Sequence, residues 1–196
     1  MNREPDASFT VRPATLQDLD GAVDMFIEVA SEGRWIGTEL PVDRDERLRK
    51  WAASLDDPKN AMFVAVESIP RPPAHPETSV APDGRVIGHA GLKWAGASDL
   101  GMAVARDRRG RGVGRALLEA CIRWAEEHRV HKIELKVWPH NEAAIALYES
   151  FGFEREGYLK KHYRRRNGEL WDCLLMGLQL PRSTTRPPKN ERWGLS

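Results

Sequence analysis

Ten residues, Arg106-Asp-Arg-Arg-Gly-Arg-Gly-Val-Gly-Arg115, constrain this chain more than any others: five arginines and three glycines lie between a strand-like run, Asp99 to Val104, and a helical pattern. Val113, Ala116, Leu117, Ala120, Cys121 and Trp124 recur on one face of that helix. Glycines that open a helix weaken it unless something must approach the backbone. The unpaired N–H groups of a helix start, with the helix dipole behind them, favour an anion, and absent Cβ atoms let phosphate oxygens reach them. Spacing excludes two common nucleotide sites. No G-x-x-x-x-G-K-[ST] occurs, and G-x-G-x-x-G/A fails because Arg115 and Leu117 stand where its last small residue belongs.

The rest of the chain alternates strand and helix patterns. Thr10 to Ala14 reads as a strand, Thr15 and Asp18 as a capping pair, and Leu19, Ala22, Val23, Phe26, Ile27 and Ala30 as a helix stopped near Gly33. Arg34 to Pro41 is a loop, and Leu48, Trp51, Ala52 and Leu55 mark a second helix. Strands follow at Ala61 to Glu67 and Arg85 to Lys93, joined by Ile69 to Gly84, whose five prolines predict an extended loop insert. Lys132 to Val137 alternates as a strand, and Asn141 caps a helix from Glu142 to Phe151 that Gly152 ends. Phe153 to Arg164 and Leu170 to Leu180 are strands meeting at Asn167-Gly168, a type I′ hairpin signal. The order β-α-α-β-β-β-α-β-α-β-β implies an α/β fold with a mixed sheet (the α+β kind) in a single domain, 9–180, flanked by flexible tails 1–8 and 181–196.

Composition narrows the function classes. The 196 residues are 41% hydrophobic, enough for one large core, and contain no run long and apolar enough for a membrane span. Cys121 and Cys173, inside apolar segments, read as core thiols, so a reducing cytoplasmic setting without a metal site is expected. The 30 basic and 29 acidic residues argue against bulk nucleic-acid binding. Residues 1–60 nonetheless carry 8 basic and 13 acidic side chains, whereas 100–170 carry 15 and 10.

Two strings resemble one family. Arg109-x-x-Gly112-x-Gly114 resembles the R/Q-x-x-G-x-G/A motif of the GCN5-related N-acetyltransferases, or GNAT family. Asn141-Glu-Ala-Ala-Ile-Ala-Leu-Tyr148-Glu-Ser-Phe-Gly-Phe153 is similar to its second signature, N-x-x-A-x-x-L-Y-x-x-x-G-F. The likeness covers about Phe9 to Leu180 and implies the acyl-CoA N-acyltransferase fold, with acetyl-CoA as co-substrate. By resemblance, the backbone of Arg109, Gly110, Arg111, Gly112, Val113, Gly114 and Arg115 holds the pyrophosphate. Met102, Ala103 and Val104 pair with pantetheine amides where their strand splays from Lys132 to Val137, Asn141 bonds the pantetheine arm, and Tyr148 is the general acid.

The physics of the residues agrees with part of this. Asn141 and Tyr148 are seven residues apart, two helical turns, so both can face one groove. A phenol can protonate a departing thiolate, since the two groups titrate near about 10 and 8.5. The general base is less defined. Some N-terminal acetyltransferases of the family carry Glu five residues before the signature Asn, but Lys136 stands there, so Asp99 and Glu39 are the candidates, ahead of His89 and His140. By the family's pattern the acceptor meets the first interhelical loop, with Trp35, Ile36 and Glu39, and the hairpin around Tyr158 to Trp171. The basic run Lys160 to Arg166 reads as a charged edge strand, and Asp172 as an internal hydrogen-bond anchor. The expectation is acetyl transfer from acetyl-CoA to a primary amine of a small molecule or protein, by direct attack in a ternary complex. A non-catalytic acyl-CoA sensor on the same fold, or an anion- or nucleic-acid-binding module, stands as the alternative. Whether two copies form a homodimer is left open.

Overall fold

The computed structural model describes residues 9–67, 84–95 and 97–180. The two tails, 1–8 and 181–196, and all but Gly84 of the proline-rich insert lie outside the described residues. Among the described residues seven strands form one sheet: β1 (Phe9–Pro13), β2 (Asn60–Glu67), β3 (Arg85–Ala95), β4 (Ala97–Val104), β5 (Lys132–Val137), β6 (Glu154–Arg164) and β7 (Leu170–Gln179). Their order is β1-β2-β3-β4-β5-β7-β6, antiparallel throughout except between β4 and β5. Among the described residues four α-helices cover it: α1 (Leu19–Ser31), α2 (Arg44–Leu55), α3 (Val113–Glu127) and α4 (Glu142–Ser150). The mixed α/β architecture and the element order are those that the hydrophobic patterns predict.

The helices divide between the two faces because both are apolar. Met62, Val64 and Val66 of β2 join Leu19 and Ala22 of α1 in one cluster, completed by Leu48, Ala52 and Leu55 of α2. The alternate residues Phe63 and Ala65 join the larger cluster with Leu117, Leu118 and Cys121 of α3. Residues 62 to 66 are all buried, as a strand covered on both sides requires. Asp18 accepts from the Thr15 N–H at 2.8 Å and takes two bonds from the Arg12 guanidinium, so the capping pair also fastens β1 to the start of α1.

Two turns are built differently from expectation or richer than it. At the β6–β7 connection Gly168 has φ +89° but Asn167 is not in the left-handed region, so the type I′ turn does not form. Instead the Gly168 N–H bonds the Arg165 carbonyl at 2.9 Å and the Arg165 N–H bonds the Glu169 carbonyl at 2.8 Å. That is a three-residue loop, a type I turn closed by a glycine bulge. The Asn167 side chain prefers to accept from the Glu169 N–H at 3.0 Å, which keeps it out of the left-handed region. Inside β6 the register shifts between Leu159 and Tyr163, and Asp172 holds this bulge by accepting from the Lys161 N–H at 2.7 Å and the Tyr158 hydroxyl at 2.8 Å.

Candidate active site

The sheet opens between its two parallel strands. β4 pairs with β5 only at Ser98↔Ile133 and Asp99↔Glu134, while Gly101 to Val104 stay paired with β3 on their other edge. Beyond Asp99 the β5-facing N–H and C=O groups of β4 therefore have no strand partner. A cavity of about 860 Å³ fills the opening, and Met102, Ala103 and Val104 line it. Unpaired backbone groups beside a cavity are open to water or to a ligand that carries amides of its own.

At the far end of β4 the chain turns into α3. Gly110 and Gly112 have φ of +72° and +84°, a conformation that a side chain would strain, and no atom lies within 4 Å of where a Cβ would stand at either. Gly112 caps α3, so the first N–H groups of the helix face a bare cradle. Arg109, Gly110, Gly112, Gly114 and Arg115 line the cavity; Arg111 does not, and the Val113 side chain is buried in the core. Two of the arginines are structural as well. Arg108 binds Glu67 through two bonds of 2.8 and 2.7 Å, and Arg109 binds both Glu32 oxygens and the Val104 carbonyl at 3.1 Å. These bonds hold Glu32 and Glu67 below the usual carboxylate range. The turn is thus tied to α1 and β2 through acids far away in sequence.

α4 supplies the opposite wall. Asn141 accepts from the Ala144 N–H at 3.3 Å as the helix cap and lines the cavity together with Tyr148. Tyr148 is buried beside Phe153 and near Cys121. Burial, and after it Cys121, raises its phenol well above the ordinary range, so the hydroxyl stays protonated at neutral pH. Burial likewise pushes the Cys121 thiol up to about 12 and raises Cys173, which leaves both as unreactive thiols.

The residues expected at the acceptor end are placed unequally. Trp35 and Ile36 line the cavity, with the Trp35 indole N–H donating to Glu32 at 2.9 Å and its ring beneath Arg34 and Arg109. Asp99 also lines it, directly opposite Lys93 in the β3–β4 ladder. Glu39 lies off the cavity wall and accepts from the Arg166 N–H at 3.1 Å, 3.4 Å from the Arg165 guanidinium. His140 bonds the Arg34 carbonyl at 2.9 Å. His89 lines the cavity, but its Nδ1 is enclosed without a hydrogen-bond partner, and burial lowers the imidazole to about 4.

Other cavity or clamp residues carry no sequence signal. Glu32 is the residue that caps the end of α1, and Arg165 is one more cation in the basic run Lys160 to Arg166. In the structure Arg165 is buried over Trp171 and Trp138 and donates to the carbonyls of Gly33 and Gly37 at 3.2 and 3.3 Å. It clamps the α1–α2 loop to the β6–β7 hairpin. Only spacing between distant elements would have revealed either residue.

Comparison with known proteins adds to this geometry. A sequence model described as the Acetyltransferase (GNAT) family matches residues 33–153. The L-amino acid N-acetyltransferase AaaT of Escherichia coli K12 is 38% identical over 104 residues, which are 48% of this chain and 62% of that protein. The match therefore spans less than two thirds of that relative. An L-methionine sulfoximine/L-methionine sulfone acetyltransferase of Pseudomonas aeruginosa is 25% identical over 187 residues, 92% of this chain and 99% of the relative. Among solved structures, yncA of Salmonella typhimurium, a putative acetyltransferase determined with its cofactor acetyl-CoA, has the same fold, with TM-score 0.74 at 22% identity over 93% of this chain and 99% of that one.

Proposed function

This chain belongs to the GNAT family of acetyltransferases, and on that footing we propose that it transfers acetyl from acetyl-CoA to a primary amine in a ternary complex. The opening between β4 and β5 carries the reading. It ends in a glycine cradle at the start of α3 and holds Asn141 and Tyr148 on its other wall, the arrangement a pantetheine thioester with a pyrophosphate tail would fit. Acetyl-CoA supplies the thioester carbon that the amine attacks. The α3 N–H groups and the backbone around Arg109 to Arg115 hold the pyrophosphate, the free edge of Met102 to Val104 pairs with the pantetheine amides, and the Asn141 amide N–H₂ donates to the same arm. Tyr148 Oη gives its proton to the departing sulfur as the C–S bond breaks and the C–N bond forms.

Asp99 is the carboxylate this reading places as base, since it lines the cavity while Glu39 is engaged with the hairpin. Trp35 and Ile36 form an apolar acceptor wall, and Glu39 steadies it by fastening the loop to Arg165 and Arg166. Two free buried thiols suit a reducing cytoplasm, which is part of the proposal. The test is a panel of small primary amines and peptide N-termini assayed by free-thiol release from acetyl-CoA. Amine-dependent thiol in equal amount to N-acetyl product supports transfer. Tight CoA binding without thiol release from any amine would instead make the protein an acyl-CoA sensor.

A further inference from the structure

On the α1/α2 face of the sheet, the cavity floor has a charge pattern of which the acetyl-transfer reading uses only Asp99. In the β3–β4 ladder Lys93 faces Asp99, Gly91 faces Gly101, and His89 faces Ala103, so the three pairs share one face. The glycine pair leaves the middle bare, with no atom within 4 Å of a Cβ position at Gly101. Phe26 and Trp51 roof the His89 end, their ring centroids 5.6 and 4.7 Å from the imidazole. Arg47, on α2, lies across this roof and lines the cavity, its guanidinium 4.7 Å from the Phe26 centroid and 5.9 Å from that of Trp51.

Arg47 has no ion pair among the described residues. Of the acids near it in sequence, Glu46 pairs with Lys50, and Asp43 accepts from the Glu46 N–H as the helix cap. Lys93, the other cation on this floor, has Asp99 as its cross-strand neighbour, so their charges offset. His89 is neutral, held down by burial and secondly by the Arg47 charge. The His89 end of the cavity therefore carries one positive charge, on Arg47, with no ion-pair partner among the described residues, next to the bare middle of the floor. An aromatic-backed guanidinium presents its N–H fork as a carboxylate requires.

We propose that Arg47 determines acceptor specificity by binding a carboxylate carried by the amine, so that the acceptor is a free amino acid rather than a polypeptide N-terminus. The proposal rests on the acetyltransferase reading. Gly101, where the sheet opens, and Ala103, opposite His89, are two residues apart, about 7 Å, which suits a small molecule bearing both groups. A peptide N-terminus offers a neutral amide in place of the carboxylate and leaves Arg47 unpaired.

L-Leucine and L-leucinamide, bound to the CoA-loaded protein and assayed for KM, test this. Binding and KM are the readouts because the two amines differ in basicity. Leucine should bind at least about tenfold more tightly than the amide, and Arg47→Met should weaken leucine about ten- to a hundredfold so that the preference collapses. Arg47→Lys should restore part of it, and acetyl-CoA affinity by calorimetry is the folding control. Equal binding of acid and amide, or a preference that survives Arg47→Met, would overturn the proposal. Acid preference in binding without thiol release from any amine would keep the subsite and overturn the transfer reading.

Discussion

Tyr148 and His89 are both enclosed and both titratable, and burial moves them in opposite directions because it always disfavours the charged form. The phenol is raised and the imidazole lowered to about 4, so both are neutral at pH 7. A neutral phenol beside the opening can donate a proton. Tyr148→Phe should therefore lower kcat about hundredfold or more in a thiol-release assay while acetyl-CoA affinity stays near wild type. For His89 the consequence is stability. Its folded value lies below the unfolded 6.5, so the unfolded chain binds the extra proton, and stability present above pH 6.5 is lost as pH falls toward 4. That gap corresponds to about 3 kcal/mol. Urea denaturation at successive pH values should show this slope, and His89→Leu should flatten it. The lowered carboxylates, Asp18, Glu32 and Glu67 among them, add their own loss only at the acid end of that window, near and below about pH 4.5, so the slope between pH 6.5 and 5 belongs to His89.

Strand β4 and the turn after it do two jobs that a sequence pattern shows unequally. The glycines at the turn into α3 are legible because few other roles demand three of them, and at Gly110 and Gly112 a positive φ with open space above it fits a ligand cradle. Gly112→Glu should abolish acetyl-CoA binding by calorimetry while the circular dichroism remains near native, since the side chain would stand over the helix N-terminus with a repelling charge. The bonds that hold the turn were not legible. Arg109 meets Glu32, 77 positions earlier, and Arg165 meets the Gly33 carbonyl, 132 positions earlier. Periodicity reports which face of an element is apolar, but it says nothing of which charged ends the topology brings together. The hairpin turn departs from the type I′ expectation for a local reason: Asn167 has a competing acceptor role that a dipeptide signal ignores. Arg165→Met should destabilise the fold by about 2 kcal/mol in urea, because it strands two carbonyls and leaves Glu39 with the Arg166 N–H but without its guanidinium partner.

At the scale of the molecule, near-equal numbers of acids and bases conceal a division of labour. Glu32, from the acidic first sixty residues, and Glu67, just beyond them, anchor the basic turn, and the basic middle supplies the anion cradle. Element order and family were readable because hydrophobic periods and two motifs are local properties. Asp99 could be singled out from sequence, but the cavity it faces, with Arg47 and His89 at its other end, exists only once α2 lies over β3. The claim on which the rest depends is that the gap between β4 and β5 is the seat of acetyl-CoA. Titration calorimetry of the wild-type chain with acetyl-CoA at moderate salt measures it most directly. One molecule bound per chain, with affinity in the micromolar range or tighter and lost in Gly112→Glu, is the predicted result; no detectable binding, or unchanged binding in that variant, would contradict it.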